Sequence, residues 1–262
     1  MKNEKRPYLK AILLTFLILL FPIISGTIIA ISGLEGTSAT MIQTAAFVVA
    51  FCIGALIAKK RAGSLQNIGL RLANIGDLKD YLWFLPLILI EILPFFAGFE
   101  EDLSFSYIAA YLLFMLAVGF TEELYFRGII VDILKRKGIV TVIFLSSVLF
   151  SIGHLANLLA GAPLNETILQ VIFAFLFGVV AVQITLATNS FLIPAIWHTL
   201  HNFIASITAS NDGSESMIIS GLQGVILLVY GIYLWKKKPD QLQILAVNPD
   251  LEPDLYRGDG IV

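Results

Sequence analysis

Apolar residues run in long blocks along this chain, with short polar connections between them. A helix needs about 20 apolar residues to cross a bilayer. Eight blocks meet that criterion, near 11–32, 40–58, 81–99, 104–121, 139–160, 167–187, 191–209 and 217–235. The pattern predicts an all-α, polytopic membrane protein with eight transmembrane helices. Two blocks stand apart, those near 104–121 and 191–209, because each touches polar residues. The sharpest interruption is TEELYFRG at Thr121–Gly128, which puts Glu122, Glu123 and Arg127 directly after the run YLLFMLAVGF.

Composition agrees with the pattern. The 262 residues are 58% hydrophobic and 14% charged, and the mean hydropathy is +0.87. A soluble domain carries about 25% charged residues. The length is therefore spent on one helical bundle, expected over residues 1–238. Residues 239–262, which include NPDLEPDLYRGDG, read as a poorly ordered cytoplasmic tail.

Charge orients the bundle. Lys and Arg fall in four clusters: Lys2, Lys5, Arg6 and Lys10; Lys59, Lys60, Arg61, Arg71 and Lys79; Arg127, Lys135, Arg136 and Lys137; and Lys236, Lys237, Lys238 and Arg257. These are all 17 cations of the chain. With eight spans the four clusters share one face, which the positive-inside rule makes cytoplasmic. Both termini then lie in the cytoplasm of a multi-pass protein of the cell membrane. The connections on the other face carry Glu35, Glu100–Asp102, Glu166 and NDGSES at Asn211–Ser216, with no Lys or Arg. The basic start before an apolar run reads as an uncleaved first span rather than a signal peptide. Cys52 is the sole cysteine, so no intrachain disulfide can form.

Polar groups at membrane depth are costly, and each needs a reason. Interhelical hydrogen bonding is the ordinary one, and Glu91, between Pro86 and Pro94, is read that way. Glu122, His154 and His198 differ because their positions agree. Glu122 lies 16 residues before Gly138 and His154 lies 16 after it. In a helical hairpin turning at KRKG (Lys135–Gly138), both sit about 24 Å from the turn and face each other at one level. His198, about 12 Å into its own span, reaches the same plane if the hairpin tip projects into the cytoplasm. His198 and Asn202 are i and i+4, so they share a helix face. His201 falls on that face or its edge. Arg127 is i+4 from Glu123, which predicts an ion pair and leaves Glu122 free for chemistry.

A carboxylate facing an imidazole in a poorly hydrated cavity can bind and deprotonate water. A second imidazole and an amide can donate to an oxyanion. Together they suit hydrolysis of a carbonyl substrate. Equally, Glu122, His154 and His198 could hold a divalent metal such as zinc that activates the water. H-E-x-x-H, P-loop and G-x-G-x-x-G motifs are missing. So are the serine and aspartyl motifs of other intramembrane proteases. The basic clusters are explained by topology, which leaves nothing for nucleic-acid binding.

Three motifs carry a resemblance. EELYFR at Glu122–Arg127 matches E-E-x-x-x-R, FSIGH at Phe150–His154 matches F-x-x-x-H, and HTLHN at His198–Asn202 matches H-x-x-x-N. In this order they resemble the CPBP family of intramembrane proteases. That family includes the Ras-converting CAAX endopeptidase and the bacterial Abi-type bacteriocin-processing and immunity proteins. The resemblance covers Thr121 to Asn202 and implies an eight-helix CAAX-protease-like bundle, with a protease core at about 104–209. It implies cleavage of membrane-associated peptides or proteins from the cytoplasmic side. Carried over, Glu122 and His154 activate water, His198 and Asn202 form the oxyanion site, and Glu123 and Arg127 support them. The family has been described both as metal-dependent and as metal-free, so both readings stay open. The expected partners are membrane lipid and a membrane-associated peptide or protein, possibly lipidated or a leader. The rival within the family is a non-proteolytic scaffold or immunity protein. A transporter with a proton-carrying Glu–His pair would show repeats in its two halves, and none is visible.

Overall fold

The computed structural model describes residues 5–73, 84–100, 103–208 and 214–237. The predicted tail at 239–262 and the start of the third predicted span lie outside the described residues. Those that are described contain no strand, and each of the eight predicted blocks carries a helix. The helices are α1 (Pro7–Ser32), α2 (Gly36–Ala62), α3 (Leu85–Ile92), α4 (Phe105–Glu123), α5 (Ile139–Gly153), α6 (Leu164–Thr188), α7 (Leu192–Ile207) and α8 (Ser214–Lys237). Among the described residues, six helical stretches are long and apolar enough to cross a membrane. The third and seventh blocks give shorter helices, Leu85–Ala97 counting the 3-10 turn that extends α3, and α7 itself. The fold is an all-α polytopic membrane bundle.

The fourth helix runs past its apolar block, as the hairpin turning at Lys135–Gly138 requires. The block near 104–121 does not stop at the charged motif. The chain stays helical through to Lys137. Residues Leu124–Ile130 form a π-helical stretch in which all seven side chains are buried. Short π segments inside α-helices are rare and concentrate at functional sites. Hydroxyls on neighbouring helices help to hold this one. Ser146 Oγ donates to the Phe126 carbonyl at 2.9 Å, and Tyr125 in turn donates to the Ala50 carbonyl of α2 at 3.1 Å. The chain then turns at Gly138, whose φ of 87° suits glycine, and α5 returns alongside. The predicted hairpin is present.

Close helix approach positions the site. In a membrane, packing comes from small residues that let backbones meet rather than from the hydrophobic effect. A Cβ built on Gly119 of α4 would lie 2.5 Å from Thr199 Oγ1 and 3.0 Å from Thr199 N on α7. Only glycine fits there. One turn further along α4 come Glu122 and Glu123, and Thr199 is the neighbour of His198. The same contact that joins α4 to α7 therefore brings the two motifs together.

Candidate active site

Glu123, Arg127 and His198 form the buried centre. Arg127 Nη1 donates to Glu123 Oε1 at 2.9 Å, and both side chains are fully buried. The i,i+4 pair expected from spacing is there. The same Glu123 oxygen also meets His198 Nδ1 at 3.0 Å. A carboxylate can only accept, so Nδ1 donates and the ring presents Nε2 on its other side. Nε2 lies 3.7 Å from Glu122 Oε2. His198 thus stands between the two glutamates, a placement that motif spacing alone did not reveal.

Aromatic rings organise the rest. The Arg127 guanidinium lies over the Phe150 ring, 4.2 Å from its centroid, and Phe177 is 5.7 Å away. Such cation–π contacts compensate part of a cation's desolvation. Phe150 also takes His154 and His198 edge-on, at centroid distances of 5.4 and 5.6 Å. The Phe of F-x-x-x-H is therefore a spacer between the two imidazoles. His154 itself opens a 3-10 stretch, His154–Ala160, at the end of α5. No hydrogen bond or ion pair joins His154 to Glu122 among the described residues. His154 and His198 flank Phe150, and His198 Nε2 is the ring nitrogen that lies 3.7 Å from Glu122.

A cavity of about 300 Å³ opens from this centre. His154, His198, His201 and Asn202 are on its wall together with Phe150, Phe173 and Phe177. Neither glutamate is. Asn202 follows His198 by one turn on α7, as expected, and its side chain makes no hydrogen bond to a described residue. Four buried polar atoms lack a protein partner here: Glu122 Oε2, Glu123 Oε2, and Nε and Nη2 of Arg127. A membrane core rarely tolerates such atoms outside functional sites.

Sequence reasoning missed a second acid–imidazole pair. Glu91 of α3 accepts from Trp197 Nε1 at 2.8 Å and meets His201 Nδ1 at 3.1 Å. His201 stacks on Phe173 at 4.9 Å. Glu91 is therefore tied to α7 by two bonds rather than lone. Its partners are more than a hundred residues away, and nothing local signalled them.

The residues do not fit a metal centre as they stand. No three His, Cys, Asp or Glu side chains among the described residues converge as metal ligands. Glu123 is engaged by Arg127 and His198, and His154 is not joined to Glu122.

The family model described as type II CAAX prenyl endopeptidase Rce1-like matches residues 83–204. That stretch holds all three motifs and Glu91. No curated protein matches the chain.

Proposed function

Since residues 83–204 belong to the Rce1-like type II CAAX prenyl endopeptidase family, we propose that the chain is an intramembrane endopeptidase working through Glu122, His154, His198 and Asn202. One observation carries this reading. Glu123 Oε1 is bonded to both Arg127 and His198, whereas the Glu122 carboxylate makes no hydrogen bond among the described residues and its buried Oε2 lies 3.7 Å from His198 Nε2. Of the two adjacent carboxylates, one is built into the frame and the other is available.

In the proposed reaction, Glu122 takes a proton from water at the His198 end of the cavity, with His154 orienting that water. The water oxygen attacks the peptide carbonyl carbon. The Asn202 amide donates to the oxyanion that forms, and His198 adds a donor from Nε2 when both ring nitrogens carry a proton, its Nδ1–H being held by Glu123. The C–N bond breaks, and the proton held by Glu122 passes to the leaving amine, which closes the proton balance. Glu123 and Arg127 hold the His198 ring and the π stretch in place. Apo distances of this kind are commonly long and tighten when substrate binds.

The substrate is a membrane-associated peptide or protein segment. The multi-pass protein resides in the cell membrane with both termini cytoplasmic, a reading supported by the one-sided Lys and Arg. The test is cleavage of a membrane-anchored peptide library by purified protein in lipid nanodiscs, wild type beside Glu122→Gln. Cleavage by the wild type alone supports the proposal. Equal cleavage by both variants, or by neither, refutes it.

A further inference from the structure

The entrance to the cavity and the Lys and Arg clusters lie at opposite ends of the bundle. The cations close the far ends of their helices: Lys59, Lys60 and Arg61 at the end of α2, Lys135–Lys137 after α4, and Lys236 and Lys237 at the end of α8. Arg61 and Lys135 both pair with Asp132, which fixes two of these clusters to one end. The cavity wall is drawn from the other ends. Glu166 and Gln170 are in the first turns of α6, Ala205 is in the last turn of α7, and Ser220 is near the start of α8. Along α8, Ser220 is about 24 Å from Lys236 at 1.5 Å per residue.

Burial along α6 shows which way the cavity runs. Glu166 and Gln170 are exposed, Phe173 is half-buried, and Phe177 is buried beside His198, their rings 5.0 Å apart. The floor is thus about 16 Å below Glu166. Beyond Phe177 every residue from Val180 to Leu186 is buried. The π stretch on α4 is buried throughout as well.

The cation end is sealed further by a plug. Phe191, fully buried, donates its backbone N–H to the Gly69 carbonyl at 2.9 Å. Phe191 and Ile68 sit so close to Gly128 that a Cβ there would come within 3.2 Å of both. Arg71 Nε caps the Asn189 carbonyl at 2.8 Å. Among the described residues nothing comparable covers Glu166 and Gln170, which are exposed.

Cations mark the cytoplasmic face. We infer that the active-site cavity opens to the extracytoplasmic side, and that its substrate is an extended peptide segment held at the outer leaflet. This reverses the cytoplasmic-side cleavage that the motif resemblance implies. It rests on the reading of the cavity as catalytic, but only for the word substrate. The direction of opening stands on geometry and charge.

The amide and hydroxyl groups near the mouth suit an extended backbone, which needs lateral donors and acceptors. Gln170 is one, bonded now to Asn157 at 2.7 Å; Ser220 is another. The aromatic floor formed by Phe150, Phe173 and Phe177 suits an apolar side chain next to the scissile bond.

The test is thiol labelling of the full chain in a Cys52→Ser background, with a membrane-impermeant sulfonated maleimide on spheroplasts of a bacterial host. E166C and A205C report the mouth, K137C the cation end, and V182C the packed half. E166C and A205C should label in intact spheroplasts, K137C only after the membrane is opened, and V182C under neither condition. Two mouth positions guard against one variant failing to fold. Mouth labelling only after opening, or K137C labelling in intact cells, overturns the inference. A second arm displays a lipid-anchored peptide on the outer leaflet. Mouth labelling from outside without any cleavage there, or by purified protein, removes the protease reading and leaves the direction of opening intact.

Discussion

Glu123→Gln should damage the fold more than any other single isosteric change at the site. The substitution keeps the side chain's size and its bond to His198. It leaves the Arg127 guanidinium fully buried without its bonded counter-charge. Glu122, the other carboxylate in electrostatic reach, makes no hydrogen bond to it, Nε and Nη2 already lack partners, and the Phe150 face at 4.2 Å contributes about 2 kcal/mol. Removing one member of a buried ion pair costs about 3–5 kcal/mol. For a chain of this size, at roughly 2–4 °C per kcal/mol, the melting temperature should fall by about 6–20 °C. The assay is thermal unfolding of purified protein in a single detergent, with Glu123→Gln, Arg127→Met and the double variant measured together. The double variant removes both charges and fills the guanidinium's space with a thioether, so it should recover a large part of the loss. A Glu123→Gln protein that melts with the wild type would refute the assignment of Glu123 to the frame. If that protein were also inactive, the two carboxylates would exchange roles.

Glu122→Gln should lower the cleavage rate by about 10²–10⁴-fold, typical of a lost general base, with the melting temperature unchanged; near-normal turnover would sink the mechanism. His154→Ala should lose a comparable factor, and the double variant little more, since both groups act on one water. Gly119→Ala should destabilise by about 1–3 kcal/mol and also lose activity, because a Cβ there would meet Thr199 backbone and push His198 away from Glu122; an active, stable Gly119→Ala protein would contradict that. Chelation and dialysis should leave cleavage intact, and stoichiometric zinc whose removal abolishes activity and whose return restores it would overturn the metal-free reaction.

Helix positions were legible because a bilayer demands long apolar runs, and that signal is strong and local. Hydropathy alone ends the fourth apolar block at Thr121, because it counts Glu123 and Arg127 as two separate costs, although the hairpin turning at Lys135–Gly138 already required the helix to run on. In the fold they neutralise each other at 2.9 Å, so the helix continues through them. The i,i+4 offset that predicts the pair also explains the continuation. The site residues were legible as a set, since motif order and spacing survive in one dimension. Their mutual geometry was not. Level estimates along straight helices paired Glu122 with His154 and gave no sign of the backbone-close contact at Gly119 that brings α7 against α4. His198 thereby meets both glutamates, and Phe150 contacts its ring and that of His154 alike. The Glu91 cluster had no signal at all, because its partners, Trp197 and His201, sit on another helix with no local pattern linking them. Its presence changes what α7 is. That helix has an acid on each side, Glu123 through His198 and Glu91 through Trp197 and His201. Pinned at both edges by groups that lie outside hydrogen-bonding reach of Asn202, it presents Asn202 and the His201 ring to the cavity from a fixed position. An oxyanion site requires donors held at fixed positions before the charge develops.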